Sequence, residues 1–314
     1  MDFDPKKYIE KSVEEIRKLI RIEDSEKVLA ACSGGVDSTV AAVLVSKALG
    51  RPIKAVYIDD GLRRKGEGSY VVKVLRNLGL DAFIYDAKKE VLQALKGLKD
   101  AEEKRKAFRE AFYTVLGNII KEMDAKYLVQ GTIAADVVET VGGIKTQHNV
   151  LEQLGIDTAK YGFKVVEPIK DLYKPQVRMV ARELGLPKDI SERKAFPGPG
   201  FAIRIVGEVT WEKLEILREV TEIVEEETKD IEAFQSFAVL LDLKATGIKD
   251  GKRSYGYIVV LRVVESTDAI EAKFVEIPFE RLRRISKRII AEVPQISRVL
   301  YDVTDKPPAT IEFE

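Results

Sequence analysis

An apolar run, Val28-Leu29-Ala30-Ala31-Cys32, breaks off at Ser33-Gly34-Gly35-Val36-Asp37-Ser38. A helical pattern then runs to Leu49 and closes at Gly50. Strand, glycine turn and helix in that order constrain this chain more than any other feature. Such a turn presents bare backbone N–H groups and the positive end of a helix to an anion. Two adjacent glycines let the main chain approach phosphate oxygens closely. Ser33, Ser38 and Thr39 add hydroxyl donors, and Asp37 is suited to hold a magnesium ion through oxygen.

The same alternation continues downstream. Lys27–Cys32, Ile53–Ile58, Ala82–Tyr85, Tyr127–Gln130 and Lys164–Val166 read as short buried strands. Helical segments lie between them, near residues 38–49, 69–78, 102–123 and 175–184, with an amphipathic helix near 4–20 ahead of the first strand. Alternating βαβα predicts an α/β fold with a parallel sheet. The Pro- and Gly-rich Phe196-Pro197-Gly198-Pro199-Gly200-Phe201 punctuates the chain, and the pattern then changes. A helix near 211–227 is followed by two long alternating runs, Phe237–Leu243 and Tyr255–Val264. A basic helix, Phe279–Ile290, then leads to strands at Arg298–Val303 and Thr310–Glu314. This grouping predicts a small α+β domain, so we expect one domain over 1–195 and a second over 196–314.

The 314 residues suffice for two domains of about 150 each. Lys+Arg and Asp+Glu both number 52, a neutral balance unlike the basic excess of a dedicated nucleic-acid binder. No apolar run is long enough to span a membrane, and the mixed-charge N-terminus does not resemble a signal peptide. One cysteine excludes an intrachain disulfide and a Cys-rich metal site, and it fits a reducing cytoplasm. Charged residues at 33% match a heat-adapted composition.

In open α/β sheets ligands sit at the carboxyl ends of the strands. Three polar segments occupy such ends here: Ser33–Ser38, Asp59-Asp60-Gly61-Leu62-Arg63-Arg64-Lys65, and Gln130–Thr140 with Gly131, Asp136 and Glu139. Two more follow, Ile144–Val150, which holds the sole histidine, His148, and Val165–Leu172. The turn lacks the lysine of a kinase-type P-loop and carries Asp37 in that place. Its SGGVDS instead resembles the pyrophosphate loop of the ATP pyrophosphatases, enzymes of the adenine nucleotide α-hydrolase-like fold.

Together with IDDGLRR, QGTIAADVVET, IKTQHNV, VVEPIKDL, AFPGPGFAIRI and KPPATIEFE, the loop makes the chain similar to the GMP synthetase family. The similarity covers the ATP-pyrophosphatase part and the C-terminal dimerisation part, from about residue 5 to the end. Seven motifs in order are far more specific than one. The resemblance implies that XMP attacks the α-phosphorus of Mg·ATP, that pyrophosphate leaves, and that ammonia displaces AMP to give GMP. It implies a homodimer that binds neither nucleic acid nor membrane.

Site roles follow from the same resemblance. Ser33, Gly34, Gly35, Val36, Asp37, Ser38 and Thr39 would cradle the β and γ phosphates, with Asp37 on the metal. Tyr57 and Gly131 would meet adenine through backbone. Asp136 and Glu139 would position magnesium or the reacting purine. Lys160 and Lys164 lie where the family has a lid lysine. His148 stands where the family commonly has two adjacent histidines, of which Gln147 replaces the first. Arg64 and Lys306 would hold the XMP phosphate, Glu312 a purine or ribose donor, and Gln235 another part of XMP.

The single-chain enzyme also carries a glutaminase, which needs a nucleophilic cysteine with a histidine base. Only residues 1–26 precede the first strand, and Cys32 ends a buried run. We therefore expect ammonia from a separate glutamine amidotransferase subunit, as in the two-subunit form common among archaea. A tRNA thiolase shares SGGVDS but calls for an RNA-binding appendage and further cysteines. A non-catalytic regulator would show decay at Asp37 or in the tail.

Overall fold

The computed structural model describes residues 3–134, 163–194, 196–249, 251–267 and 269–314. The chain forms two compact units. The first comprises Met1–Asp59, Gly66–Ala87 and Glu110–Arg193; the second comprises Asp60–Lys65, Lys88–Arg109 and Lys194–Glu314. Two segments upstream of residue 196 thus belong to the second unit, and the long helix Ala101–Glu122 contributes to both.

The first unit holds a five-stranded parallel sheet: β1 (Val28–Ala31), β2 (Lys54–Asp59), β3 (Asp81–Asp86), β4 (Tyr127–Val129) and β5 (Lys164–Val166). Their order is β3-β2-β1-β4-β5. Register is continuous across the centre, with Ala30 beside Ala55 on one side and Val129 on the other. All five strands match the sequence expectation to within two residues at either end. Helices α1 (Pro5–Leu19), α2 (Val36–Leu49) and α3 (Glu67–Asn77) belong to this unit. Central strands of a parallel sheet are covered on both faces, so β1 is apolar throughout. For the same reason α2 is apolar around most of its surface, from Val40 to Val45.

Helix α1 is amphipathic and buries Ile9, Ser12 and Ile16. Its start is fixed by Asp4, whose carboxylate accepts from Lys6 N at 3.0 Å and Lys7 N at 3.2 Å. Replacing Asp4 by Ala leaves these two donors to water and should lower the unfolding free energy by about 1 kcal/mol. A denaturant midpoint unchanged in Asp4→Ala would show that the cap carries no stability.

The remaining α-helices among the described residues are α4 (Lys88–Leu95), α5 (Ala101–Glu122), α6 (Lys174–Glu183), α7 (Lys188–Ser191), α8 (Trp211–Glu227) and α9 (Phe279–Glu292). The second unit contains a mixed sheet: β6 (Ile205–Val206), β7 (Gln235–Lys249), β8 (Lys252–Glu265) and β10 (Ile296–Tyr301) in the order β10-β8-β7-β6, with β9 (Lys273–Phe274) also paired to β8. The two long runs form one extended antiparallel hairpin, longer than their alternation alone indicated.

Thr310–Glu314 is not a strand, which corrects the expectation. Its carbonyls are taken by side chains instead of a ladder. Arg262, 1% exposed, donates to Thr310 O at 2.9 Å, Ile311 O at 3.3 Å and Thr304 O at 2.6 Å. Lys104, fully buried, donates to Ile205 O at 2.7 Å and to the Glu314 carboxylate. Burial lowers the Lys104 pKa against the opposing pull of Glu314.

Three of the four arginines of the basic helix α9 pair with acids of its own unit. Arg281 meets Asp230 at 2.7 Å and holds that carboxyl down at about 2. Arg284 and Arg288 meet Glu227, and Arg288 also meets Glu226 and Glu292. Networks of this kind suit a heat-adapted chain. Among the described residues no helix is long and apolar enough to cross a membrane.

Candidate active site

Strand order in the first sheet reverses between β1 and β4, and a ligand crevice opens at such a switch point. Residues 33–39 leave β1 there, and Gly131 leaves β4 there. Gly34 has φ +79°, and a Cβ on it would lie 2.4 Å from Val71 Cγ2. Glycine is required at this position both by backbone conformation and by space.

Helix α2 begins at Val36, two residues earlier than the pattern predicts, because Gly35 is the N-cap. The N–H groups of Val36, Asp37 and Ser38 precede the helix's first backbone bond, Thr39 N to Gly35 O at 3.3 Å. They form a row of donors at the positive end of a 14-residue helix.

The hydroxyls divide into two kinds. Thr39 is 1% exposed, and its Oγ1 donates to Gly35 O at 2.8 Å, so it braces the turn from the protein side. Ser33 is exposed, and its Oγ lies 3.4 Å from Ser38 Oγ and accepts from Gly35 N at 3.4 Å. These long, weak bonds are readily exchanged for bonds to an anion. Val36 is buried and offers only its backbone.

Asp37 carries the most informative feature of the turn. Its Oδ2 accepts from Lys174 Nζ at 2.5 Å. Its Oδ1 is buried and has no hydrogen-bond partner among the described residues. A buried carboxylate oxygen without a donor is costly unless a cation or water completes it. Among the described residues there is no group of three or more His, Cys, Asp or Glu placed to hold a metal. The single orphaned Asp37 oxygen is the kind of ligand magnesium takes, since that ion binds through one or two carboxylates and fills its octahedron with phosphate oxygens and water.

Gly131 touches the turn directly. A Cβ there would lie 2.4 Å from Ser38 N and 2.6 Å from Asp37 C. Tyr57 is 2% exposed and packs on α3, where its Cε1 lies 2.9 Å from the Cβ position of Gly68. Its side chain belongs to the core, so any ligand contact from Tyr57 would come from its backbone. Lys164 is not brought to the turn. It pairs with Tyr127 at the start of β5, whereas the turn follows the ends of the strands. Asp136, His148, Glu139 and Lys160 lie outside the described residues. Cys32 is buried, and burial pushes its thiol up to about 12, which rules out a ready nucleophile.

Sequence reasoning missed two residues at the turn. Lys174 opens α6 and reaches Asp37. Arg193 donates to Gly34 O at 3.1 Å and to Glu67 Oε1 at 2.7 Å. Neither stands in a local motif, and only their distances in space give them away.

In the second unit Arg64, Gln235, Lys306 and Glu312 belong to one neighbourhood. Arg64 donates from Nε to Glu225 at 2.7 and 3.0 Å and lies 4.3 Å from the Phe196 ring centroid. Arg204 flanks the same ring at 4.9 Å and pairs with Glu312 through Nε at 2.9 Å and Nη2 at 2.7 Å. Lys306 donates to Ala269 O at 2.7 Å, and its backbone bridges Ala272. Ala272 packs with Val264 and Ile311, next to Phe234 and Ala269, which brings Gln235 and the tail together. Glu312 has its two oxygens on a buried arginine, so it fixes the tail whatever else it contacts.

The preceding turn is braced as strongly. Asp60, 0% exposed, accepts from Leu62 N at 2.9 Å and pairs with Arg63. Arg218 donates to Arg63 O at 2.9 Å and to Gly61 O.

Comparison with known proteins gives a consistent picture. The family described as NAD synthase matches residues 8–233, and the family described as GMP synthase C terminal domain matches residues 221–313. Among curated proteins, a subunit of GMP synthase [glutamine-hydrolyzing] from Methanocaldococcus jannaschii is 53% identical over 99% of this chain and 100% of its own. The proteins of the same name from Methanopyrus kandleri and Archaeoglobus fulgidus are 49% and 51% identical, each over 99% of this chain and 100% of their own. The solved structure of NMN synthetase from Francisella tularensis superposes with a TM-score of 0.50 at 19% identity. It covers 68% of this chain and 85% of its own, a likeness of fold.

Proposed function

The chain belongs to the GMP synthase [glutamine-hydrolyzing] family as a synthetase subunit, and from that premise we propose that it uses ATP to aminate XMP to GMP through an adenylyl-XMP intermediate. The purine 2-oxygen attacks the α-phosphorus, and the bond to the bridging oxygen breaks to release pyrophosphate. Ammonia then attacks the activated carbon, and AMP departs with the oxygen. A separate glutamine amidotransferase subunit supplies that ammonia.

The observation that carries this reading is the buried Asp37 oxygen without a hydrogen-bond donor among the described residues, set in a glycine turn at the sheet's switch point. A magnesium ion held by Asp37 would supply charge neutralisation for the departing diphosphate. The turn's own groups do the rest. The N–H groups of Val36, Asp37 and Ser38 and the hydroxyls of Ser33 and Ser38 hold the β and γ phosphates. Lys174 adds a cation beside Asp37. Preorganised donors of this kind need no rearrangement as charge develops. Gly131 lets the exit of β4 pack directly against the turn, and its own backbone is the part of it assigned to adenine. In the second unit Arg64, Gln235, Lys306 and Glu312 are the residues assigned to XMP, with Arg64 exchanging Glu225 for the substrate phosphate. Asp136, Glu139, His148 and Lys160 keep their proposed part in the chemistry, and Lys164 is the weaker candidate for the lid lysine because of its place in β5.

Self-association as a homodimer belongs to the same reading. It is supported by the apolar side chains Leu243, Ile248 and Tyr255, which stand 60%, 82% and 64% exposed on the β7–β8 hairpin. A cytoplasmic location rests on the single buried cysteine.

The test is an assay with XMP, Mg·ATP and ammonium, following AMP and GMP together. Both products should form in equal amounts. Glutamine alone should support no GMP formation by the purified chain. AMP without GMP, or GMP from glutamine with no second protein, would overturn the assignment of reaction or of nitrogen source respectively.

A further inference from the structure

We propose that Arg193 is a positioning residue that fixes the Gly34–Gly35 peptide so that its N–H faces the bound diphosphate. The proposal rests on the function given above. Arg193 follows α7 and lies 159 residues from Gly34 in sequence. Its guanidinium spans two acceptors, Gly34 O at 3.1 Å and Glu67 Oε1 at 2.7 Å. The Glu67 side chain is 5% exposed and that of Arg193 is 19% exposed, so the bridge is largely shielded from water. Glu67 is the first residue of α3, a rigid anchor.

The geometry gives this bridge a consequence for the turn. In a trans peptide the C=O and the following N–H point to opposite sides. A Gly34 carbonyl held toward Arg193 therefore turns the Gly35 N–H the other way, toward Ser33 Oγ at 3.4 Å. That is the face where the Ser33 and Ser38 hydroxyls gather. A Gly-Gly peptide has little steric resistance to flipping. The flipped form would put a carbonyl oxygen, not a donor, against the phosphates. Arg193 supplies the restraint that the two glycines lack. Arginine suits the task because its planar fork reaches two acceptors at once, whereas a lysine ammonium is a single flexible point.

Two variants test this with wild type alongside. Arg193→Ala should lower kcat/KM for ATP by about 10²-fold, as small misplacements of a positioned group do, and leave KM for XMP unchanged. Added guanidinium should restore part of the loss, while sodium chloride at equal ionic strength should not. Arg193→Lys keeps a cation beside Glu67 and so protects the fold, and it should show a smaller loss of the same kind. Calorimetric titration with magnesium pyrophosphate in the absence of XMP reads the turn directly, and both variants should bind more weakly than wild type. Unchanged ATP kinetics, unchanged pyrophosphate affinity, or a uniform fall in folded protein with normal KM for ATP would each overturn the role. Wild type that binds pyrophosphate yet makes no GMP would refute the reaction and leave the Arg193 titration decisive. Wild type that binds no pyrophosphate would refute both.

Discussion

Asp37→Asn should reduce AMP and GMP formation together by about 10³-fold or more, the scale lost with a preorganised charge-stabilising group. Thermal stability and XMP affinity should stay close to wild type. Asn keeps the shape of the side chain and removes its charge. The buried Oδ1 has no donor among the described residues, so the substitution breaks no internal bond at that atom. The Lys174 partner is 45% exposed, and an ion pair so open to water contributes at most about 1 kcal/mol. The loss therefore falls on catalysis and spares the fold. Initial rates of AMP release at saturating XMP, beside a thermal melt, make the measurement. Near wild-type turnover in Asp37→Asn would remove this carboxylate from the metal assignment.

The second large effect is expected at Gly131, and it should strike stability and activity at once. An added methyl would sit 2.4 Å from Ser38 N, 2.6 Å from Asp37 C and 2.7 Å from Ser38 Cα. All three are backbone atoms at the start of α2, so no side chain can swing aside. Either the exit of β4 or the phosphate turn must move. Overpacking against fixed backbone costs about 3 kcal/mol or more, and displacement of the turn would abolish adenylation. Gly198→Ala is the matched control, because its Cβ position has nothing within 4 Å and the residue does not need a positive φ. An unfolding midpoint for Gly131→Ala equal to that of the control would show that the close approach is not real.

The sheet and the turn were largely legible beforehand. Buried parallel strands must be continuously apolar, and the runs at β1 and β2 announce themselves on that ground. A strand followed by two glycines and a helical pattern leaves one geometry for the main chain. The tail was misread because alternation in Thr310–Glu314 imitates a strand. Sequence patterning does not reveal that Arg262 claims its carbonyls from 48 and 49 residues away. Segments 60–65 and 88–109 likewise belong to the second unit for reasons of packing that no linker composition signals.

Chemistry splits along the same line. Residue order alone determined that Ser33–Thr39 form a glycine turn leading into a helix, the local geometry on which the proposed phosphate site rests, because backbone N–H groups, glycine freedom and a helix start are local properties. Only the tertiary structure decided that Lys174 and Arg193 serve that turn, and that Gly131 seals it. Those contacts join atoms 137, 159 and about 90 residues apart. They depend on strand order in the sheet and on where each helix ends, and long-range placement of that kind leaves no periodic trace in the chain.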